Sequence, residues 1–190
     1  AVVCGKVGPE AAKETGLISG TPIVAGAGDQ AAQAVGTGIV APAVILVTIG
    51  TSGVVFASTE KYSPVPEGTL HAYCHAAPDL WHLMGVTLSA GGSLRWFRDT
   101  LCLEEKARAA VQENDPYDLI LEGAREVPAG CEGLLFLPYL SGERTPHPDP
   151  FARGVFFGLS LKHAKAHLAR AVLEGVTFSL KECLDLLGEA

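Results

Sequence analysis

No apolar run in this sequence approaches the roughly 18 residues needed to cross a bilayer, and residues 1–8 lack the charged and apolar parts of a secretory leader. Both absences lead us to expect a cytoplasmic protein with no membrane partner. Basic residues are scarce as well: 14 Lys and Arg stand against 21 Asp and Glu, giving a formal charge of −7. A surface of that sign repels the phosphate backbones of DNA and RNA, so no nucleic-acid partner is expected. A small cationic pocket for a single nucleotide stays compatible with it. A disulfide framework is missing too. The five cysteines, Cys4, Cys74, Cys102, Cys131 and Cys183, are scattered and odd in number, as reduced buried thiols would be. His71, Cys74, His75 and His82 come close together, but in a strand Cys74 and His75 point to opposite faces, and no second ligand pair at zinc-finger spacing exists. We therefore expect no metal site and assign this cluster to core or cleft-wall packing.

What is present is enough for one sizeable core: 190 residues, 48% of them hydrophobic, with 22 glycines. Residues 21–30, Thr-Pro-Ile-Val-Ala-Gly-Ala-Gly-Asp-Gln, organise the rest. Ile23, Val24 and Ala25 read as a short buried strand, and the glycines after them remove bulk where the chain turns. Asp29 then stands at the strand's carboxyl end, where ligands bind in open α/β sheets. It is equally a candidate for the start of the helix that follows, and both can hold together. Residues 1–20 read as a connecting segment with a short helix at 9–15.

Residues 43–49, apolar on both faces, predict a central strand covered on both sides. Gly50-Thr-Ser-Gly53 breaks it before a second strand at 54–57. Such a turn offers exposed N–H groups and two hydroxyls to a phosphate oxygen, or it is a plain hairpin turn. Residues 70–76 and 81–87 predict a hairpin around Pro78-Asp79. At 89–98 the pattern switches to a helix opened by Gly91 and Gly92. Unpaired N–H groups there would bind anions, with Arg95 one turn in as a cation or merely solvated. Residues 104–126 predict two short covering helices broken at Asn114-Asp-Pro116. A buried strand at 133–137 leads into an ordered, proline-rich loop in which Glu143 and Arg144 are expected to pair. After a short strand at 154–158, residues 164–187 form the longest helix, with an apolar stripe through Leu168, Val172, Val176, Leu180, Leu184 and Leu187. Gly175 interrupts it, which close packing of another backbone would explain.

A glycine-rich turn after a strand also imitates a dinucleotide fingerprint. That class wants an acid about 20 residues on, and residues 31–59 hold no Asp or Glu, so a dinucleotide-binding oxidoreductase is a weak alternative.

Four blocks together resemble the FGGY family of carbohydrate kinases, and most closely its xylulose-phosphorylating members. Gly154-Val-Phe-Phe-Gly-Leu159, then seven residues, then His167-Leu-Ala-Arg-Ala-Val-Leu-Glu174 matches the family's second signature at every defined position. Residues 25–30, 50–53 and 139–146 match further blocks in the family's order. The resemblance implies an α/β, ribonuclease-H-like (actin-like ATPase) lobe with a mixed sheet and flanking helices, and a cleft between two such lobes that closes on a sugar and ATP. It implies Asp29 as general base and sugar contact, Gln30 as a sugar contact, and Thr51 and Gly91 at the ATP phosphates. Arg95 stands where some relatives carry a nucleotide-contacting glutamine. ATP and Mg²⁺ are the implied cofactors, and a homodimer is possible by analogy. On the same footing, residues 21–190 correspond to the front of the second lobe, and residues 1–20 to the connection into it. The first lobe would precede Ala1 and the adenosine-binding glycine block would follow Ala190, so this stretch alone is expected to be nearly inactive. The competing expectation is a non-catalytic actin-like binding module.

Overall fold

The computed structural model describes residues 2–190 and divides them into a four-stranded sheet, two smaller strand pairs and six helices. Strand β1 (Val3–Lys6) pairs antiparallel with β2 (Pro22–Val24), and helix α1 (Pro9–Thr15) lies between them in sequence. Pro9 opens α1 and Gly16, at φ 74°, closes it. β1 thus lies inside the segment read as a mere connection. The expectation of a buried strand at residues 23–25 is corrected: Ile23 and Val24 are about half exposed, because β2 pairs only with β1 and nothing else among the described residues covers it.

After β2 comes α2 (Asp29–Gly36), then β3 (Ile45–Ile49), β4 (Gly53–Thr59), β5 (His71–Cys74) and β6 (Trp81–Thr87). The four strands stack in the order β3-β4-β6-β5, and every ladder in them is antiparallel. The parallel part of a mixed sheet is not among the described strands. The central strand of the set is β4, buried on both faces. β3, expected at the centre and covered on both sides, pairs along one edge only among the described strands, with Ile45, Val47 and Ile49 exposed while Leu46 and Thr48 turn inward.

Helix α3 (Gly91–Leu101) leaves the end of β6, and α4 (Leu103–Gln112) and α5 (Pro116–Arg125) follow. The break between them falls where Asp115 accepts a hydrogen bond from the Tyr117 N–H at 2.9 Å and Pro116 opens α5. Strand β7 (Leu135–Leu137) pairs with β8 (Val155–Phe157), and the chain ends in α6 (Lys165–Glu189). β7 is shorter and less buried than expected; only Phe136 turns inward.

The two faces of the four-stranded sheet are covered by different helices. On one, Ala34 of α2 and Ile39 pack on Val54, Phe56 and Val86; on the other, Leu180 and Cys183 of α6 pack on Val55. The first half of α6 completes a third cluster with Phe97, Cys102, Ile120, Leu134 and Phe136. α6 therefore ties the sheet to β7, α3 and α5. Gly175 meets the stated expectation: a Cβ there would run into the Phe136 carbonyl oxygen.

Candidate functional site

Asp29 is the first residue of α2, directly after an extended Gly28 (φ −59°, ψ 149°), and β2 has already ended at Val24, so the helix-start reading holds while the strand ends short of it. Its Oδ1 accepts the Gln30 N–H at 2.8 Å, and an acid suits this positive end of a helix. The side chain is exposed. It borders a pocket of about 520 Å³ whose walls are residues 28–31 on one side and Tyr73, Cys74, His82 and Met84 of β5 and β6 on the other. Gln30 is half-buried, and its side-chain oxygen is buried without a donor among the described residues. The floor is stiff and uncharged. His82 is 3% exposed and stacks on Phe56 with ring centroids 4.4 Å apart. Burial, and then the charge of His75, hold the His82 pKa below that of an ordinary imidazole; burial lowers His75 likewise. The sequence reading of these histidines as core or cleft wall therefore holds. No cluster of three or more His, Cys, Asp or Glu able to hold a metal occurs among the described residues. A wider groove of about 780 Å³ lies between residues 57–63 and Leu184, Leu187 and Gly188 of α6 and contains none of the candidate residues.

Thr51, Gly91 and Arg95 are brought together at a second place, the hairpin turn between β3 and β4. The N–H groups of Ala90, Gly91 and Gly92 donate to the carbonyls of Thr51, Gly50 and Thr51 at 2.8, 2.9 and 3.0 Å. This corrects the expectation of unpaired N–H groups at the start of α3: the hairpin's carbonyls already occupy them. The glycine pair serves close approach instead, since a Cβ on Gly91 would lie 2.6 Å from the Gly50 oxygen and one on Gly92 2.8 Å from that of Thr51. The free donors are on the other side of the contact. The N–H groups of Thr51 and Ser52 find no acceptor among the described residues, and Arg95 Nη2 donates to Thr51 Oγ1 at 3.3 Å. Two amides, a hydroxyl and a guanidinium at one exposed turn are donors suited to an anion.

Residues 45–190 match the C-terminal domain of the FGGY family of carbohydrate kinases. The chain belongs to that family. Over 185 residues this FGGY chain is 44% identical to the xylulose kinase of Escherichia coli (strain K12), an alignment that takes in 97% of the chain and 36% of that protein. Among solved structures it superposes on a xylulose kinase from Rhodospirillum rubrum with a TM-score of 0.83 at 35% identity, over 98% of this chain and 36% of that one. On a gluconate kinase from Lactobacillus acidophilus the TM-score is 0.82 at 32% identity, over 97% and 35%. The chain thus spans a little over a third of the length of these relatives, and its ribonuclease-H-like, actin-like lobe is the FGGY one. The domain match begins at Ile45, after Asp29 and Gln30.

In this FGGY chain the candidate residues form two groups that do not touch. The pocket walls include none of Thr51, Gly91 and Arg95, and no hydrogen bond joins the groups. They share strand β6, however. Thr87 at its end pairs with Gly53 of the turn, and Met84 of the pocket lies three residues away, about 10 Å at the rise of a strand. One set of partners escaped the sequence reading. Glu143 does not pair with the Arg144 guanidinium as expected but accepts the Arg144 backbone N–H at 2.8 Å and faces inward, 3% exposed. A carboxylate in a loop pinned by four prolines was the available signal.

Proposed function

We propose that an intact chain carrying this segment transfers the γ-phosphoryl group of ATP to a sugar hydroxyl, with D-xylulose to D-xylulose 5-phosphate as the first reaction to assay. In this reading residues 21–190 are part of its second lobe and residues 1–20 lead into it. The arrangement that carries the proposal is an exposed carboxylate at the mouth of a pocket whose Met84 wall lies about 10 Å along β6 from Thr87, the partner of Gly53 at a turn with free amides and a cation.

The chemistry follows from the residues. Asp29 takes the proton from the attacking hydroxyl as its oxygen bonds to the γ-phosphorus and the bond to the departing ADP breaks. Gln30, whose side-chain oxygen has no partner, accepts a second sugar hydroxyl. The amides of Thr51 and Ser52, the Thr51 hydroxyl and Arg95 hold phosphate oxygens, while Gly91 lets the turn sit against α3. The described residues provide no carboxylate cage for Mg²⁺, so the ion would come with the nucleotide's phosphates and offset their charge. Among the described residues no helix is long and apolar enough to cross a membrane. A cytoplasmic kinase of small molecules, without nucleic-acid or membrane partners and possibly dimeric, is part of the same proposal.

Asp29→Asn in the full-length enzyme tests it. Turnover should fall by about 10²- to 10⁴-fold, the contribution of a positioned general base, with ATP binding kept. Turnover near the parental level removes Asp29 from the role of base, whereas a parent enzyme without sugar-dependent ATP turnover favours a non-catalytic actin-like module.

A further inference from the structure

Glu143 is a buried carboxylate that the proposed reaction leaves unused. No ion pair involves it among the described residues. Burying a charge without a counterion is costly unless hydrogen bonds replace the lost water, and here they do. The Thr87 hydroxyl donates to Oε2 at 2.7 Å, and the N–H groups of Leu88 and Arg144 donate to Oε1, each at 2.8 Å. Ser179 of α6 donates in turn to the Thr87 oxygen at 3.1 Å. The loop end of this bridge is fixed as well. The Glu143 N–H and carbonyl both pair with Asp149, and the Thr145 N–H donates to the Val86 carbonyl at 3.0 Å.

What the carboxylate grips is the hinge between β6 and α3. Two residues beyond Leu88 begin the three amides, of Ala90, Gly91 and Gly92, that bind the carbonyls of Gly50 and Thr51. Fixing Leu88 therefore fixes the height of the phosphate turn against α3, and with it the spacing between the free amides of Thr51 and Ser52 and the Arg95 guanidinium. A neutral side chain could fill the space. One without oxygen atoms would leave the Thr87 hydroxyl and the two amides without this acceptor.

We infer that Glu143 is a positioning residue for nucleotide phosphate: without touching ATP, its carboxylate holds the Thr87–Leu88 end of β6 so that the turn at residues 50–53 and Arg95 converge on one anion. The inference rests on the reading of that turn as the phosphate site. Its test is calorimetric titration of the full-length enzyme with ATP and, separately, with D-xylulose. In Glu143→Ala the dissociation constant for ATP should rise about tenfold or more, as loss of buried charge-assisted bonds implies. Affinity for the sugar should stay within about twofold, and melting should remain cooperative. Glu143→Gln keeps one oxygen for both amides and turns its NH₂ toward Thr87, so ATP affinity should return to within about threefold of the parent. Where Glu143→Ala does not fold, Glu143→Asp replaces it. Its shorter side chain cannot span Thr87 and the two amides, and it should weaken ATP binding while sparing the sugar. Unchanged ATP affinity, or equal loss for both ligands, overturns the inference. A parent protein that binds sugar but no ATP overturns the phosphate reading itself, a distinct result.

Discussion

The two faces of the four-stranded sheet do different work. Against the middle of α6, at Leu180 and Cys183, the packing is tight: a Cβ on Gly53 would lie 2.7 Å from Leu180 Cδ2, and one on Gly85 2.9 Å from Cys183 Cβ. Cys183 shows how dry this layer is, since burial first, and then the charge of Glu143, pushes its thiol up to about 12. Against α2 the cover is an eight-residue helix of small residues, and Gly26 and Gly28 before it meet nothing within 4 Å. The pocket beside Asp29 exists because that helix is short and its side chains are small. One face thus sets the positions of β4 and β6 while the other leaves room at their surface.

Substitutions matched in size can break that contrast. Gly85→Ala places its methyl group against Cβ of Cys183 and Cγ2 of Thr145, atoms held by α6 and by the proline-rich loop. It should cost about 2 kcal/mol in urea unfolding, the range expected for overpacking a dense core. A change below about 0.5 kcal/mol would mean that the α6 face yields more than its geometry implies. Acid should act next, and on the other face. His82 is neutral in the fold and its folded pKa is depressed, so below about pH 6.5 the unfolded chain takes up a proton that the native state refuses. Stability should hold above that pH and drop as the pH falls from it toward the folded pKa, with His75 adding in the same direction. In His82→Leu the slope of the urea midpoint between pH 7 and pH 5 should be shallower. Identical slopes in the two proteins would remove His82 as the cause. The smallest effect belongs to Gly26→Ala, where open space surrounds the new methyl group and stability should move by no more than about 0.5 kcal/mol. A loss as large as that of Gly85→Ala would erase the distinction between the faces.

Local features were legible from the order of residues. The hairpin at Pro78-Asp79, the break at Asn114-Asp-Pro116, the course of α6 and the meaning of Gly175 all follow from turn chemistry, caps and period, which act within a few residues. The place of Asp29 at the start of α2 was legible from the glycines before it and the small-residue segment after it. Long-range relations were not. β1 was hidden because its partner lies some 20 residues away. The start of α3 read as a free anion site because helices begin with unpaired amides, yet the hairpin carbonyls that fill them come from 40 residues earlier. Glu143 misled for the same reason: its neighbour in sequence is a cation, but its partners Thr87 and Leu88 are more than 50 residues away.

By itself, then, the sequence determined the helices and hairpins, the family, and the residue types available for chemistry, because each is written in side chains a turn or a strand apart. Tertiary structure alone decided how the strands pair, which amides of the turn at residues 50–53 find no acceptor among the described residues, and which donors the buried Glu143 carboxylate takes. Those outcomes depend on what is packed beside a residue from elsewhere in the chain, and hydrogen bonds are shared out only once that packing is complete.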